Sequence, residues 1–233
     1  MPLWKRSADI SLSLAVMPLL LAAIALMAIY HWLVSPGPIF FRQARIGRGG
    51  RTFSIYKFRT MKPACEFSTH QNHLHQLLGS GAPMEKLDKG DARIIPGGRL
   101  LRASGLDELP QLLNVLRGEM SLIGPRPCLP FEYEAYAPEQ RKRFEVAPGL
   151  TGLWQVSGKN RTTFEQMVQL DCEYVERRSA GLDLKIVLLT IPALVQQIMD
   201  TQVTRVTQVA QSLAGHASLN EKFRPAGTAR LAS

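Results

Sequence analysis

The sequence predicts an α+β fold that is mostly helical, with an N-terminal apolar helix, a small β-hairpin and amphipathic interfacial helices. Three observations carry that prediction. No formally charged residue occurs between Asp9 and Arg42, and the core of this run, Ile10–Val34, is rich in Leu, Ala, Ile and Met. Thr52–Met61 alternates in a β-prone pattern behind a Gly/Arg stretch. Further on, Leu109, Leu112, Leu113 and Leu116 recur at helical spacing.

Composition narrows the class. The chain has 233 residues, 45% hydrophobic and 20% charged, which suits one packed domain with appendages and excludes a disordered tail or a polytopic carrier. Cys65, Cys128 and Cys172 lie far apart without a CxxC, so neither a disulfide framework nor a zinc knuckle is expected. Such thiols fit a reducing compartment. The net charge of +9 is unevenly placed: residues 1–62 hold nine Lys/Arg against one acid, Asp9. The excess base sits beside the apolar run.

That run is long enough to cross a bilayer as a helix. It is a poor signal peptide, being too long and lacking a small-residue cleavage site. Lys5 and Arg6 precede it, and Arg42 to Lys62 follow it. Basic flanks tend to stay cytoplasmic, and Pro18 removes a backbone hydrogen bond inside the run. The residues leave open a single span and a re-entrant hairpin bent near Pro18. A buried core helix fits the length less well.

Ser35-Pro36-Gly37-Pro38 reads as a turn. Ile39-Phe40-Phe41 and Thr52–Met61 then form a hairpin around Ile46-Gly47-Arg48-Gly49-Gly50. The period of two puts Lys57 and Arg59 on one face. Residues 63–92 are polar and irregular. His70, His73 and His75 lie there without Cys or carboxylate co-ligands, so the segment reads as a solvated loop rather than a metal site. Arg99–Arg102 reads as a short helix. Leu109–Arg117 reads as another, with Pro110 in its first turn and Asp107 as N-cap. Helices are also expected at Pro138–Phe144, Thr163–Arg178 and Leu182–Met199. The last holds an uncharged stretch, Ile186–Met199, too short to cross a membrane but suited to lie on one or to pack on the domain. The polar tail from Thr201 onward reads as mobile. The expected division is therefore 1–35 membrane-associated, 36–200 cytoplasmic, and 201–233 tail.

Asp107-Glu108 is the one adjacent acid pair, with Arg99 and Arg102 before it and Arg126 after it. A helix N-terminus and arginines favour a phosphate. A divalent cation would let a carboxylate approach that phosphate, and a carboxylate can act as nucleophile. The plainer alternative is that Asp107 only caps a helix while Glu108 faces water. Gly152–Asn160 departs from Walker spacing and is set aside. The basic run Arg42–Lys62 faces anionic headgroups or a phosphorylated substrate, and no nucleic acid partner is expected.

The ordered motifs resemble the bacterial sugar transferases, small monotopic polyprenyl-phosphate hexose-1-phosphate transferases. The resemblance rests on Lys5-Arg6-Ser7-Ala8-Asp9, Ser35–Gln43, Tyr56-Lys57-Phe58-Arg59-Thr60-Met61 and Asp91-Ala92-Arg93-Ile94. Leu106–Gln111, Asn114–Ser121, Gly124-Pro125-Arg126-Pro127, Pro148–Gly152 and Tyr174-Val175 complete it, over roughly residues 4–200. The family implies a Mg2+-dependent enzyme on the cytoplasmic face of the bacterial inner membrane, anchored by a re-entrant helix. It would move a hexose-1-phosphate from a UDP-sugar to undecaprenyl phosphate, release UMP and start exopolysaccharide or related glycan synthesis. The resemblance makes Asp107 the nucleophile, in a ping-pong cycle through a covalent phosphosugar, and a metal ligand. It makes Glu108 an assistant in metal binding or proton handling. Arg102 and Arg126 would hold phosphate, joined by Lys57 and Arg59. Membrane lipid is an implied partner, and homo-oligomerisation is left open. Met17-Pro18 comes about a turn earlier than the family's usual Ser-Pro break. Gly149–Gly158 looks more like members that handle glucose or galactose than those that handle N-acetylated sugars.

Overall fold

A computed structural model describes residues 1–62, 80–84 and 91–200. The histidine trio, Cys65 and the tail from Thr201 lie outside the described residues.

Helix α1 (Leu3–Val34) is one 32-residue helix that continues through Pro18. The helical assignment is not interrupted at Met17-Pro18. Val16, Met17 and Leu20 pack with Phe58, Leu112 and Leu122, and this support holds helical backbone at a residue that donates no hydrogen bond. Asp9, Ser13, Leu20, Met27 and His31 form its buried stripe. Leu12, Leu19, Leu26, Ile29 and Leu33 stand exposed. Both ends are tied to the same body. Near the start, Lys5 Nζ pairs with Asp183 Oδ2 at 2.5 Å, and Arg6 donates to the carbonyls of Val115 and Leu116 at 2.6 and 2.8 Å. Near the end, the Tyr30 hydroxyl donates to the Pro96 carbonyl. The helix is therefore tied to the domain at both ends.

The hairpin forms as expected but with different limits. Strands β1 (Phe40–Ile46) and β2 (Thr52–Phe58) pair antiparallel, Phe41 opposite Lys57 and Arg45 opposite Phe53. A 3-10 turn at Arg48–Gly50 joins them, with Gly49 left-handed. Strand β2 stops at Phe58, so Arg59 lies beyond the alternating stretch.

Helix α2 (Gly98–Ser104) leads into a 3-10 segment, Leu106–Gln111, and then α3 (Leu112–Arg117). The single helix expected at Leu109–Arg117 is thus divided, and Asp107 sits in the first turn of the 3-10 segment instead of capping it. Gly105 occupies the cap position with φ +73°, a region that a side chain would disfavour. It redirects the chain so that Asp107 and Glu108 enter together.

Strand β3 (Ser121–Ile123) pairs in parallel with β4 (Gly149–Thr151), a contact the sequence reading did not anticipate. A Cβ on Gly149 would lie 2.1 Å from the Gly124 nitrogen. The glycines of the Gly-Pro-Arg-Pro and Pro-Gly-Leu-Thr-Gly motifs thus let two backbones cross. Between these strands come α4 (Pro130–Ala135) and a 3-10 segment at Glu139–Glu145, which replaces the helix expected at Pro138–Phe144. A four-residue helix α5 (Leu153–Val156) and a 3-10 turn (Lys159–Arg161) follow β4.

Helix α6 (Phe164–Arg177) begins at Thr163, whose hydroxyl accepts from Gln166 N–H while Gln166 Oε1 accepts from Thr163 N–H. That reciprocal cap satisfies two otherwise free donors. Helix α7 (Ala180–Asp200) is, like α1, long and apolar enough to cross a membrane by length and composition. It is also pinned along the domain. Asp183 meets Lys5 and Tyr174, Thr190 Oγ1 is 3.0 Å from Thr151 Oγ1, and Asp200 pairs with Arg161. Ile186 is fully buried, whereas Leu184, Leu188, Ile191, Val195 and Met199 are exposed. Both long helices turn one side to the domain and leave an apolar side uncovered.

Candidate active site

The acid pair is positioned from the hairpin. Asn114 of α3 donates to the Ser54 carbonyl at 2.8 Å and accepts from Tyr56 N–H at 3.1 Å. It also donates to Glu119 Oε2 at 2.7 Å. This buried amide sets β2 in register against α3 and the Leu106–Gln111 segment. Lys57, the next residue, then reaches Glu108: Nζ to Oε1 is 2.6 Å, both side chains half-buried. Asp107 is buried, only 6% exposed. Two adjacent carboxylates therefore differ in setting. One is held by an ammonium at the rim, and the other is drawn inward.

Arg102 closes α2, and its Nη1 lies 3.5 Å from Thr60 Oγ1. Its carbonyl accepts from Gln197 Nε2 of α7 at 3.0 Å, so α7 backs this side of the site.

Arg59 and Arg126 are each held by protein groups. Arg59 is buried, and its guanidinium closes the end of α1. Nε donates to Pro38 O at 2.7 Å, Nη1 to Ser35 Oγ at 3.0 Å, and Nη2 to Ser35 O. Nη2 also lies 3.1 Å from His31 Nδ1. A cation at a helix C-terminus meets its free carbonyls and dipole. Arg59 lies one residue past β2, and its N–H still donates to Ile39 O at 2.9 Å. Arg126 is gripped by Glu132, with Nη1 at 3.1 and 3.2 Å from the two carboxylate oxygens. Its N–H donates to Asp171 Oδ2 at 3.2 Å, and its carbonyl accepts from Arg143 at 2.9 Å. Arg143 and Asp171 form a fully buried pair, and Arg143 also donates to the Tyr136 hydroxyl. No sequence signal marked Glu132, Arg143 or Asp171, because each owes its place to contacts across the fold.

Burial sets the titration here. It pushes the Asp171 carboxyl up to about 6, against the opposing pull of Arg143. It raises the Cys128 thiol to about 12, which leaves no thiolate beside the site at neutral pH. Burial, followed by the Arg126 charge, lowers Arg45 to about 10.

The acid pair also bears on a metal. Among the described residues, no group of three or more His, Cys, Asp or Glu side chains converges. Mg2+ commonly takes only one or two carboxylates and fills its remaining positions with water and substrate phosphate. Asp107 beside Glu108 is a donor set of that kind.

Residues 1–197 match the family model described as "Bacterial sugar transferase". The chain is 45% identical over 157 residues to "Galactosyl transferase CpsE" of Streptococcus agalactiae serotype III, covering 66% of this chain and 34% of that protein. It is 44% identical over 184 residues to "UDP-glucose:undecaprenyl-phosphate glucose-1-phosphate transferase" of Caulobacter vibrioides, covering 76% and 62% respectively. With "Exopolysaccharide production protein ExoY" of Sinorhizobium fredii the identity is 38% over 198 residues, covering 81% and 84%. The chain thus spans about a third of the first relative, under two thirds of the second and more than four fifths of the third.

Proposed function

The chain belongs to the bacterial sugar transferase family, and from that premise we propose that it moves a hexose-1-phosphate from a UDP-sugar to undecaprenyl phosphate, the step that begins a surface polysaccharide. The observation that carries this reading is the asymmetric acid pair. Glu108 is clamped by Lys57 at 2.6 Å, while Asp107 is buried beside it on the same short turn.

In this reading a carboxylate oxygen of Asp107 attacks the phosphorus that bears the sugar. An Asp–O–P bond forms, the bond to the nucleotide phosphate breaks, and UMP leaves. The phosphate oxygen of undecaprenyl phosphate then attacks the same phosphorus, and Asp107 departs as carboxylate. Two in-line displacements at one atom need positioning and charge stabilisation above all. Lys57 holds Glu108 in a single orientation, and Arg102 stands on the adjoining helix to meet phosphate oxygens. Mg2+, held by Asp107, would offset the negative charge that gathers on the transferred phosphate.

The two long helices supply the lipid side. Both ends of α1 are fastened to the same domain, and α1 and α7 each leave an apolar side exposed. This supports anchoring from one leaflet, with the acid pair at the cytoplasmic surface of the inner membrane. Such helices bury about 5–10 Å into the headgroup boundary.

The full chain in detergent or nanodiscs, given radiolabelled UDP-glucose or UDP-galactose, undecaprenyl phosphate and Mg2+, should release UMP and form a lipid-linked product. Donor alone should leave the label on Asp107. A fully active wild type with no label on that side chain would remove the covalent step. Absence of any lipid-linked product across a panel of UDP-sugars would remove the reading.

A further inference from the structure

We propose that Arg45 is a binding residue for the phosphate of the nucleotide part of the donor, the group that leaves as UMP; this rests on the reading above. The observation behind it is a missing counter-ion. Among the described residues, Arg126 has Glu132, Arg143 has Asp171 and Lys57 has Glu108. Arg45 stands among these groups and has no carboxylate. Its Nη1 donates to the Pro127 carbonyl at 3.1 Å and its Nη2 to Gln43 Oε1 at 2.8 Å, both neutral acceptors. Its Nε is buried with no hydrogen-bond partner. A cation withdrawn from water is ordinarily paired, because leaving it unpaired is costly. Among the described residues Glu132 and Asp171 pair directly with Arg126 and Arg143, and Arg45 is left with no direct ion pair, the Glu132 and Glu108 charges acting on it only from a distance. An anion from outside would balance it.

Placement decides which anion. In the hairpin register Lys57 lies opposite Phe41, on the same strand face as Gln43 and Arg45. At 3.3 Å per residue, Arg45 is about 13 Å along that face from the level of Lys57, a gap two long side chains can reach across. The other end of β1, Phe40, packs with residues of α1. Arg45 therefore sits near the end of the strand farther from that contact, with its guanidinium against Pro127 and Gln43. A water-soluble nucleotide phosphate arrives at that end, whereas a polyprenyl phosphate arrives from the helix side. The Glu108 charge is also felt at Arg45, which places the acid pair and this arginine in one electrostatic field. A diphosphate bridging them would have its sugar-bearing phosphorus at Asp107 and its nucleotide phosphorus toward Arg45.

The test uses the full chain in nanodiscs with UMP as probe, followed by calorimetric titration and by the UMP-induced rise in Tm. Arg45→Met should weaken UMP at least tenfold, with Arg45→Lys in between. Uridine, which lacks the phosphate, should bind both chains alike, and the KM for undecaprenyl phosphate should not move. Without nucleotide, Arg45→Met should melt at the same temperature as wild type or higher, since it removes an unpaired cation; a purely structural arginine would lower Tm instead. Equal UMP affinity in wild type and Arg45→Met overturns the inference and leaves the transferase reading standing. A selective loss of undecaprenyl phosphate binding overturns the donor assignment. A wild type that neither binds UMP nor turns over any UDP-sugar removes both.

Discussion

Two charged regions of this molecule use the same residue types and do different work. Around Arg126, the side chains of Glu132, Arg143 and Asp171 are buried, and the ion pairs are mutual. Around Asp107, one ion pair sits half-exposed at the rim, from Lys57 to Glu108. The first arrangement locks α4, α6 and the Gly-Pro-Arg-Pro turn together. The second leaves one acid and one cation partly exposed to solvent. The difference is burial. A fully withdrawn pair contributes specificity and rigidity, while a partly wet one remains free to exchange its partner for a substrate.

Substitutions can break that contrast, and the largest effect falls on the open side. Asp107→Asn should lower transfer of radiolabelled sugar phosphate by more than about a thousandfold, the scale for losing a nucleophile. Its Tm should stay within a few degrees of wild type. Retained turnover would mean that this carboxylate is not the attacking group. On the closed side, Glu132→Ala should act on stability instead. It leaves Arg126 and the Leu129 N–H without their acceptor, at about 3–5 kcal/mol. Chemical denaturation would read this as a lower midpoint. A neutral result would show that the cluster is wetter than its burial indicates.

Acid titration sharpens the same distinction. The folded chain raises Asp171 from 3.8 to about 6, so it binds that proton more tightly than the unfolded chain does. The corresponding stability is fully present below about pH 4 and is lost as pH rises through about 6, by at most about 3 kcal/mol. Stability of wild type minus that of Asp171→Asn, measured from pH 4 to 7.5, should fall and then level off. A difference that rose with pH would reverse the assignment. The smallest effect is expected at Lys57. Lys57→Met leaves Glu108 at the rim, where water can solvate it, so turnover should drop about tenfold with little change in Tm, the scale of one charge-assisted contact. A large fall in Tm would move Lys57 from the open region to the closed one.

The sequence made the proposed catalytic pair visible because adjacency is local: Asp107 and Glu108 share a turn that follows Gly105. It also exposed α1, α6 and α7, whose apolar spacing and caps are read from neighbours in the chain. It did not show the protein partners of Arg59 and Arg126: one closes the C-terminus of α1 and the other is gripped by Glu132. It missed the β3–β4 pairing because strands of three residues carry almost no periodic signal. Nor did it show the packing with Phe58 and Leu112 that accompanies helical backbone through Pro18.

Taken alone, the sequence determined the family, the acid pair, the hairpin and an apolar helix beside a basic stretch, all of which depend on identity and spacing within short windows. Only the tertiary structure decided which of the clustered cations meet a carboxylate and which, like Arg45, meet neutral acceptors instead. A charge's partner is chosen by distance in space and by exclusion of water, and neither quantity is written along the chain.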